Sequence, residues 1–471
     1  MKFTTLRAFT LFVGLIGTTQ AFAKKHTNFV VILMDDMGYG DLRSNGAIGY
    51  VTPNLDRLAN EGMQFTRYYA PQAVSGASRA GLLTGCYPNR IGLSGAPFPG
   101  STHGFHQDEM TIAEVLKQKG YACAAYGKWH IGEQPQFLPM RHGFDEFYGI
   151  PYSNDMWPKH PTYKFPDLPL IEGEKTIELN PDQSRFTTDF TERAVDFIGR
   201  NRKNPFFLYL AHPMPHVPLF VSEKFKGKSK QGLYGDVMME LDWSIGQVLD
   251  KLKKEGLDKN TLVVVISDNG PWLNYGNHAG NTGGLREGKG ASFEGGQRVP
   301  CIMQWKGTIQ GGSICNNLVS GIDVLPTFAA IAGAPLPEHT IDGVDLTSLL
   351  LRTPGANPRQ SFYYYYRQND LEAVTDGDFK LVFPHNYRTY EGFQPGNDGM
   401  PGEVDEQHPL KEKLLFDLRR DPGERYNVIQ QHPEVLKRLE AMGEEARNEL
   451  GDNLTGAKGK GVRPVGRLQN R

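Results

Sequence analysis

Four short apolar runs in this chain each stop abruptly at ionisable or amide side chains, and this repeat restricts the choice of fold more than any other feature. Residues 29–34 lead into Asp35-Asp36, and residues 122–126 into Gly127-Lys128-Trp129-His130. Residues 206–210 lead to His212 and His216, and residues 262–266 end in Ser267-Asp268-Asn269-Gly270. A fifth run, 299–305, has no such tail. Continuous rather than alternating apolar runs mark strands covered on both faces, as in parallel sheets. Helical patterns at 53–60, 110–119, 187–200 and 234–254 separate them, so the chain reads as α/β: a large central, mostly parallel sheet flanked by crossover helices. Ligands of such sheets bind beyond the carboxyl ends of the strands, which brings the polar tails to one rim.

The stretch Ser75-Gly76-Ala77-Ser78-Arg79, followed by an apolar run and Thr84-Gly85, reads as a loop turning into a helix. Its first turn is built around Ser75 and Arg79. Backbone N–H groups at a helix start carry partial positive charge, and an arginine four residues on adds to it, so an anion beside Ser75 is favoured.

The formal net charge of -2 over 471 residues gives no global field to recruit nucleic acid or an anionic membrane, so any taste for anions is local. Lys2 and Arg7 flank the apolar run 8–16, and Ala21-Phe22-Ala23 supplies a small-x-small cleavage pattern. Residues 1–23 therefore read as a signal peptide, too short to span a bilayer, which takes about 20 apolar residues. Export to a periplasm or the exterior follows, with no stable membrane insertion. Cys86, Cys123, Cys301 and Cys315 allow three fully paired connectivities; a hairpin-closing Cys301–Cys315 bridge is open to the chain, and Cys123 inside a strand reads as a buried thiol.

Residues 24–350 form the catalytic unit in this reading. After a Pro-rich joint at 354–358 the character changes: aromatic β-prone runs at 361–367 and 379–383, a short strand at 414–418, and a helix opened by Pro433. These predict a smaller C-terminal α+β unit over 351–456, an antiparallel sheet with a helix across it. The basic tail 457–471 reads as solvated or loosely wrapped.

Asp35, Asp36, Asp268 and Asn269 are hard oxygen donors that suit calcium, or less well magnesium, rather than zinc. Beside a divalent cation Ser75 could be a metal-bound nucleophile, ringed by Arg79, Lys128, His130, His216 and Lys289. That constellation describes a site for a tetrahedral oxyanion; electrostatics alone leaves sulfate and phosphate esters equal. A loop carrying Trp157, His160, Tyr163 and Phe165 suits a stacked sugar ring. Two rivals stay open: a phosphoesterase on the same architecture that uses Ser75 directly, and a glycan-binding module that holds sulfate without turnover.

Ser75-Gly76-Ala77-Ser78-Arg79 with Leu83-Thr84-Gly85 resembles the signature of the type I sulfatases of the alkaline phosphatase superfamily. Further stretches resemble the arylsulfatase A branch: Asp35-Asp36-Met37-Gly38-Tyr39-Gly40-Asp41, Gly127-Lys128-Trp129-His130, Pro151-Tyr152-Ser153-Asn154-Asp155, Ser267-Asp268-Asn269-Gly270-Pro271 and Gly288-Lys289-Gly290. The resemblance runs in the family's order from Asn28 to about Asn427. It implies that Ser75 is oxidised to formylglycine (3-oxoalanine) by a dedicated maturation enzyme, and that Asp35, Asp36, Ser75, Asp268 and Asn269 hold one Ca2+. It further implies that Arg79 and His130 hold and activate the nucleophile, that Lys128, His216 and Lys289 bind sulfate and help protonate the leaving alcohol, and that Ser153 lines the sulfate pocket. His212 and His278 have no counterpart in the resemblance and are expected as substrate contacts. A serine-type signature with Ala77 behind a signal peptide fits a bacterial protein, and export, neutral charge and the aromatic loop point to a sulfated polysaccharide or oligosaccharide as substrate.

Overall fold

The computed structural model describes residues 26–468; the signal peptide expected over 1–23 lies outside the described residues. Along the chain come β1 (Asn28–Met34), α1 (Pro53–Glu61), β2 (Met63–Phe65), α2 (Ser75–Thr84), α3 (Ile112–Lys117), β3 (Ala122–Lys128), β4 (Glu146–Ile150), β5 (Pro169–Glu172) and β6 (Lys175–Leu179). They are followed by α4 (Phe186–Arg200), β7 (Phe206–Ala211), α5 (Gly232–Lys254), β8 (Thr261–Ser267), β9 (Cys301–Gln304), β10 (Ser313–Cys315) and α6 (Val324–Ala332). The ten strands make one sheet in the order β10-β2-β9-β8-β1-β7-β3-β4-β5-β6.

From β8 to β4 every pairing is parallel, so the four strands with polar tails, β8, β1, β7 and β3, are immediate neighbours that end on the same edge. Their unbroken hydrophobicity follows from coverage on both faces. Phe29, Val31 and Leu33 of β1 pack in one core with Leu82, Ile112 and Phe328 of α2, α3 and α6. Val30, Ile32 and Met34 pack on the other side with Leu55, Phe190 and Leu241 of α1, α4 and α5. Truncating one such residue, Ile32→Ala, removes about 2–5 kcal/mol. The fifth run departs from the parallel pattern: β9 is antiparallel to both β8 and β2.

This arrangement also corrects the cysteine expectation. Cys301 and Cys315 are free and buried. Both stand opposite Phe65, because β2 runs between β9 and β10. Two strand spacings of about 4.8 Å hold them beyond the reach of a disulfide.

A second sheet of β11 (Phe362–Tyr366), β12 (Asp370–Thr375), β13 (Phe379–Val382) and β14 (Leu414–Asp417) is antiparallel throughout. Helix α7 (Pro433–Leu450) lays Val435, Leu439, Ala446 and Leu450 into the core beneath it. The tail is not loosely wrapped. Gly466–Arg467 pairs antiparallel with His103–Gly104, and Arg463 donates to both carboxylate oxygens of Glu109 at 2.6 and 2.8 Å. No helix among the described residues is long and apolar enough to cross a membrane.

Candidate active site

Ser75 is the first residue of α2 and is 1% exposed. It does not cap its helix: Val74 stands at the cap without a side-chain bond, and Ser75 Oγ instead donates to Asp268 Oδ2 at 2.6 Å. Arg79, one helical turn on, donates from Nε to Ser75 Oγ at 2.8 Å. Its Nη2 reaches Asp268 Oδ2 at 2.9 Å, and Nη1 donates to the Lys128 carbonyl at 2.8 Å. The helix start is pressed close to its surroundings. A Cβ on Gly76 would sit 2.8 Å from the His130 carbonyl oxygen and 2.9 Å from that of Gly95, so only glycine fits.

The strand ends supply the rest. Asp36 and His130, which leave β1 and β3, both adopt left-handed backbone at φ 63°. Such geometry costs on the order of 1 kcal/mol per residue and persists where neighbours enforce it. Here the Asp36 N–H donates to Asp268 Oδ1 at 3.1 Å and the His130 N–H to the Pro151 carbonyl at 3.0 Å. Asn269 donates its amide to Asp36 Oδ1 at 2.6 Å, and Lys289 bonds Asp36 at 2.9 Å. Lys128 pairs with Asp35 and donates to Ser153 Oγ at 3.0 Å. His216 points Nε2 at Asp36 Oδ2, 3.6 Å away, while Nδ1 donates to the Val217 carbonyl.

All these groups are buried, and burial dominates their electrostatics. It raises the Asp36 carboxyl above its usual range, with Lys289 partly offsetting the rise. It pushes Lys128 down despite Asp35. For Lys289 burial acts in the same direction, but Asp36 and Asp35 outweigh it and the ammonium is held above its usual value. His130 is driven well below the ordinary imidazole range by burial and by Lys128 and Arg79, and His216 by burial and Lys289, so both rings are neutral.

The donor set fits a cation. Asp35 Oδ1 and Asn269 Oδ1 are buried oxygens with no hydrogen-bond partner, and both ring nitrogens of His130 beside them are unpartnered as well. Asp35, Asp36 and His216 each offer a ligand atom within 4.8 Å of the others. The sequence ligand set is thus brought together, with His216 added to its edge.

Two expected substrate contacts are placed elsewhere. His212 is fully buried, with Nε2 3.0 Å from Ser244 Oγ on α5, and burial lowers it to about 3; it is a neutral core histidine and touches no substrate. His278 ends the turn Leu273–His278, packs beside Gly399 and makes none of the hydrogen bonds described for the Ser75 cluster. Sequence reasoning missed Trp272. Its ring lies 4.5 Å from Lys289 Nζ and 5.6 Å from the His216 ring, and its signal was its position three residues after Asn269 in the same rim segment.

A buried hydroxyl at a helix start, faced by an arginine, two lysines and a carboxylate cluster fit for a cation, belongs to enzymes that act on anionic esters. The family model for sulfatases matches residues 27–334, and the model for the C-terminal region of aryl-sulfatase matches 357–464. The chain is 39% identical to Bos taurus arylsulfatase A over 87% of this chain and 84% of that one. It is 36% identical to Mus musculus N-acetylgalactosamine-6-sulfatase over 93% and 90%. The solved PsFucS1 sulfatase from Pseudoalteromonas sp. superposes with TM-score 0.77 at 28% identity, covering 90% of this chain and 91% of that one. The chain belongs to the sulfatase family and is a sulfuric ester hydrolase.

Proposed function

We propose that the protein hydrolyses sulfate esters on a sulfated polysaccharide or oligosaccharide, with formylglycine made from Ser75 as the nucleophile and one Ca2+ at the strand ends. The observation that carries this reading is the position of Ser75 Oγ, which accepts from Arg79 and donates to Asp268 beside two buried oxygens that lack partners. A serine hydroxyl would be left as a stable sulfate ester; formylglycine at position 75, held by Arg79, His130 and Asp268, would supply as its hydrate a second hydroxyl through which sulfate could be released. The cation supplies Lewis-acid charge at the same place, held by Asp35, Asp36, Asp268 and Asn269.

The chain's own residues do the remainder. Arg79 and His130 orient residue 75, with Asp268 as acceptor for its proton. Lys128, Ser153 and Lys289 hold the sulfate oxygens and the lysines provide the proton for the departing alcohol, while His216, its proton held on Nδ1 by the Val217 carbonyl, presents Nε2 to the site as an acceptor. Charge supports the division of labour. Asp35, Asp36 and Asp268 balance Arg79, Lys128 and Lys289, so a divalent cation leaves the pocket net positive for an anionic ester. A sugar substrate is supported by the name of the N-acetylgalactosamine-6-sulfatase relative and by the aromatic loop at 157–165. Export by the leader at 1–23 to the periplasm or exterior, after action of a maturation enzyme, completes the reading.

The test joins two measurements on one preparation: mass of the peptide spanning 68–79 and sulfate release from 4-nitrophenyl sulfate. Loss of a hydrogen pair from Ser75 together with calcium-dependent turnover is expected. Turnover by a preparation in which Ser75 is wholly unconverted contradicts it and favours a phosphoesterase-like use of the serine.

A further inference from the structure

Exposed aromatic side chains from two loops distant in sequence meet beside the buried site. Phe98 is 57% exposed and Tyr163 64%. Phe98 stacks on Phe165 with centroids 6.0 Å apart and planes at 15°, and Tyr163 lies 5.9 Å from Phe165. His160 braces both, 5.2 Å from Tyr163 and 5.2 Å from Phe165. Solvent-facing aromatics cost free energy unless something covers them.

At both ends this platform adjoins residues that neighbour the catalytic cluster. Pro97, next to Phe98, presses on Gly76, where an added Cβ would lie 2.8 Å from its Cδ. His160 accepts the backbone N–H groups of Thr162 and Tyr163 at Nδ1, at 3.1 and 3.0 Å. The neutral ring therefore carries its proton on Nε2, which faces Asp155 Oδ2 at 3.8 Å. Asp155 Oδ1 is buried with no hydrogen-bond partner, and the Asp155 charge acts on His216. Lys159 and Lys164, both exposed, flank the same loop.

Resting on the reading above, we propose that Phe98, Tyr163 and Phe165 form a subsite for the sugar ring adjoining the sulfated one in an anionic oligosaccharide. The ring lies across the stacked aromatics, Lys159 and Lys164 meet its charged neighbours, and His160 fixes the loop. The subsite makes the enzyme prefer oligosaccharides over small esters that fill only the sulfate pocket.

The experiment uses the full chain and the double variant Phe98→Ala/Tyr163→Ala. Binding of a chondroitin 6-sulfate tetrasaccharide and a κ-carrageenan tetrasaccharide is measured by calorimetry, beside turnover of 4-nitrophenyl sulfate. Both side chains are exposed, and an unchanged melting temperature shows that the fold is kept. Wild type is expected to bind one tetrasaccharide at least about tenfold more tightly than the variant, with aryl sulfate turnover within about twofold. Equal tetrasaccharide affinity in both proteins, or no tetrasaccharide binding by wild type, overturns the subsite. Equal losses on both probes reassign the two side chains to the fold and also overturn it. Calorimetry reads the subsite without turnover, so absence of all sulfate release from fully converted protein fails the sulfatase mechanism and leaves the binding result to stand or fall separately.

Discussion

Two of the buried charge clusters among the described residues are finished differently. At the seam between the large sheet and the C-terminal sheet, Glu294 accepts from Tyr69 and Tyr364, each at 2.7 Å, and from Lys380 at 3.2 Å. Lys380 also ion-pairs with Glu424 Oε1 at 2.8 Å without hydrogen-bond geometry, and Glu424 Oε2 accepts the Glu294 N–H at 2.6 Å. At the strand ends, by contrast, Asp35 Oδ1, Asn269 Oδ1 and both ring nitrogens of His130 have no partner. A charge network whose carboxylates meet their own lysine fixes two pieces of chain together; one that leaves an amide oxygen and a whole imidazole without any partner is built to receive something.

The sharpest way to break that contrast is to exchange the consequences. Asp268→Ala strips Ser75 and Arg79 of their shared acceptor, and sulfate release is expected to fall by about a thousandfold or more. Lys380→Met should instead cost about 3–5 kcal/mol in urea unfolding, because it leaves carboxylates buried without their cation. Its turnover per folded molecule should stay within a few-fold of wild type. A seam variant that is folded yet inactive would erase the distinction.

Calcium binding is expected to give the next largest effect. Saturation at about a hundredfold over Kd should stabilise the chain by about 2.7 kcal/mol. Asp35→Asn should abolish that shift, and Glu424→Gln should retain it, both read from melting curves with chelator and with calcium.

Proton linkage acts at the seam. Burial raises Glu424 to about 7, above its unfolded value, with Lys380 opposing the rise. The folded state therefore holds this proton more tightly. The stabilisation is complete below the unfolded pKa near 4.5 and is lost as pH rises through about 7. Glu424→Gln should flatten that part of the stability profile, and an unchanged slope would remove Glu424 from it. The smallest effects come from a matched pair of hydroxyl deletions. Tyr364→Phe takes a donor from Glu294 and should cost about 1.5–3 kcal/mol of stability with KM unchanged. Ser153→Ala takes a partner from Lys128 and should raise KM several-fold with little change in melting.

The sequence made the strand-end cluster legible because strands covered on both faces are continuous apolar runs, and a run that stops at Asp35-Asp36 or Asp268-Asn269 marks its own carboxyl end. It did not reveal direction: 299–305 is as apolar as its neighbours, yet β9 runs antiparallel. The last two strands, β5 and the edge strand β6, escaped notice; β6 is exposed along its length and shows no apolar run. His212 and His216 follow the same strand four residues apart; which of them enters the site depends on how the chain turns after Ala211, which no local pattern encodes. Trp272 joins the site through Lys289 and His216, and the tail docks through partners such as Glu109, 354 positions away. The seam cluster was invisible for the same reason, since Glu294, Lys380 and Glu424 meet only in the folded chain.

The central claim is that the unfinished cluster, and not the one at the seam, is where a sulfate ester is cleaved with converted Ser75 and a divalent cation. The most direct measurement is the rate of 4-nitrophenyl sulfate hydrolysis across preparations with different converted fractions of residue 75, each stripped with chelator and then given calcium. The rate should rise in proportion to the converted fraction, vanish on chelation and return with calcium. A rate indifferent to either conversion or chelation would contradict it.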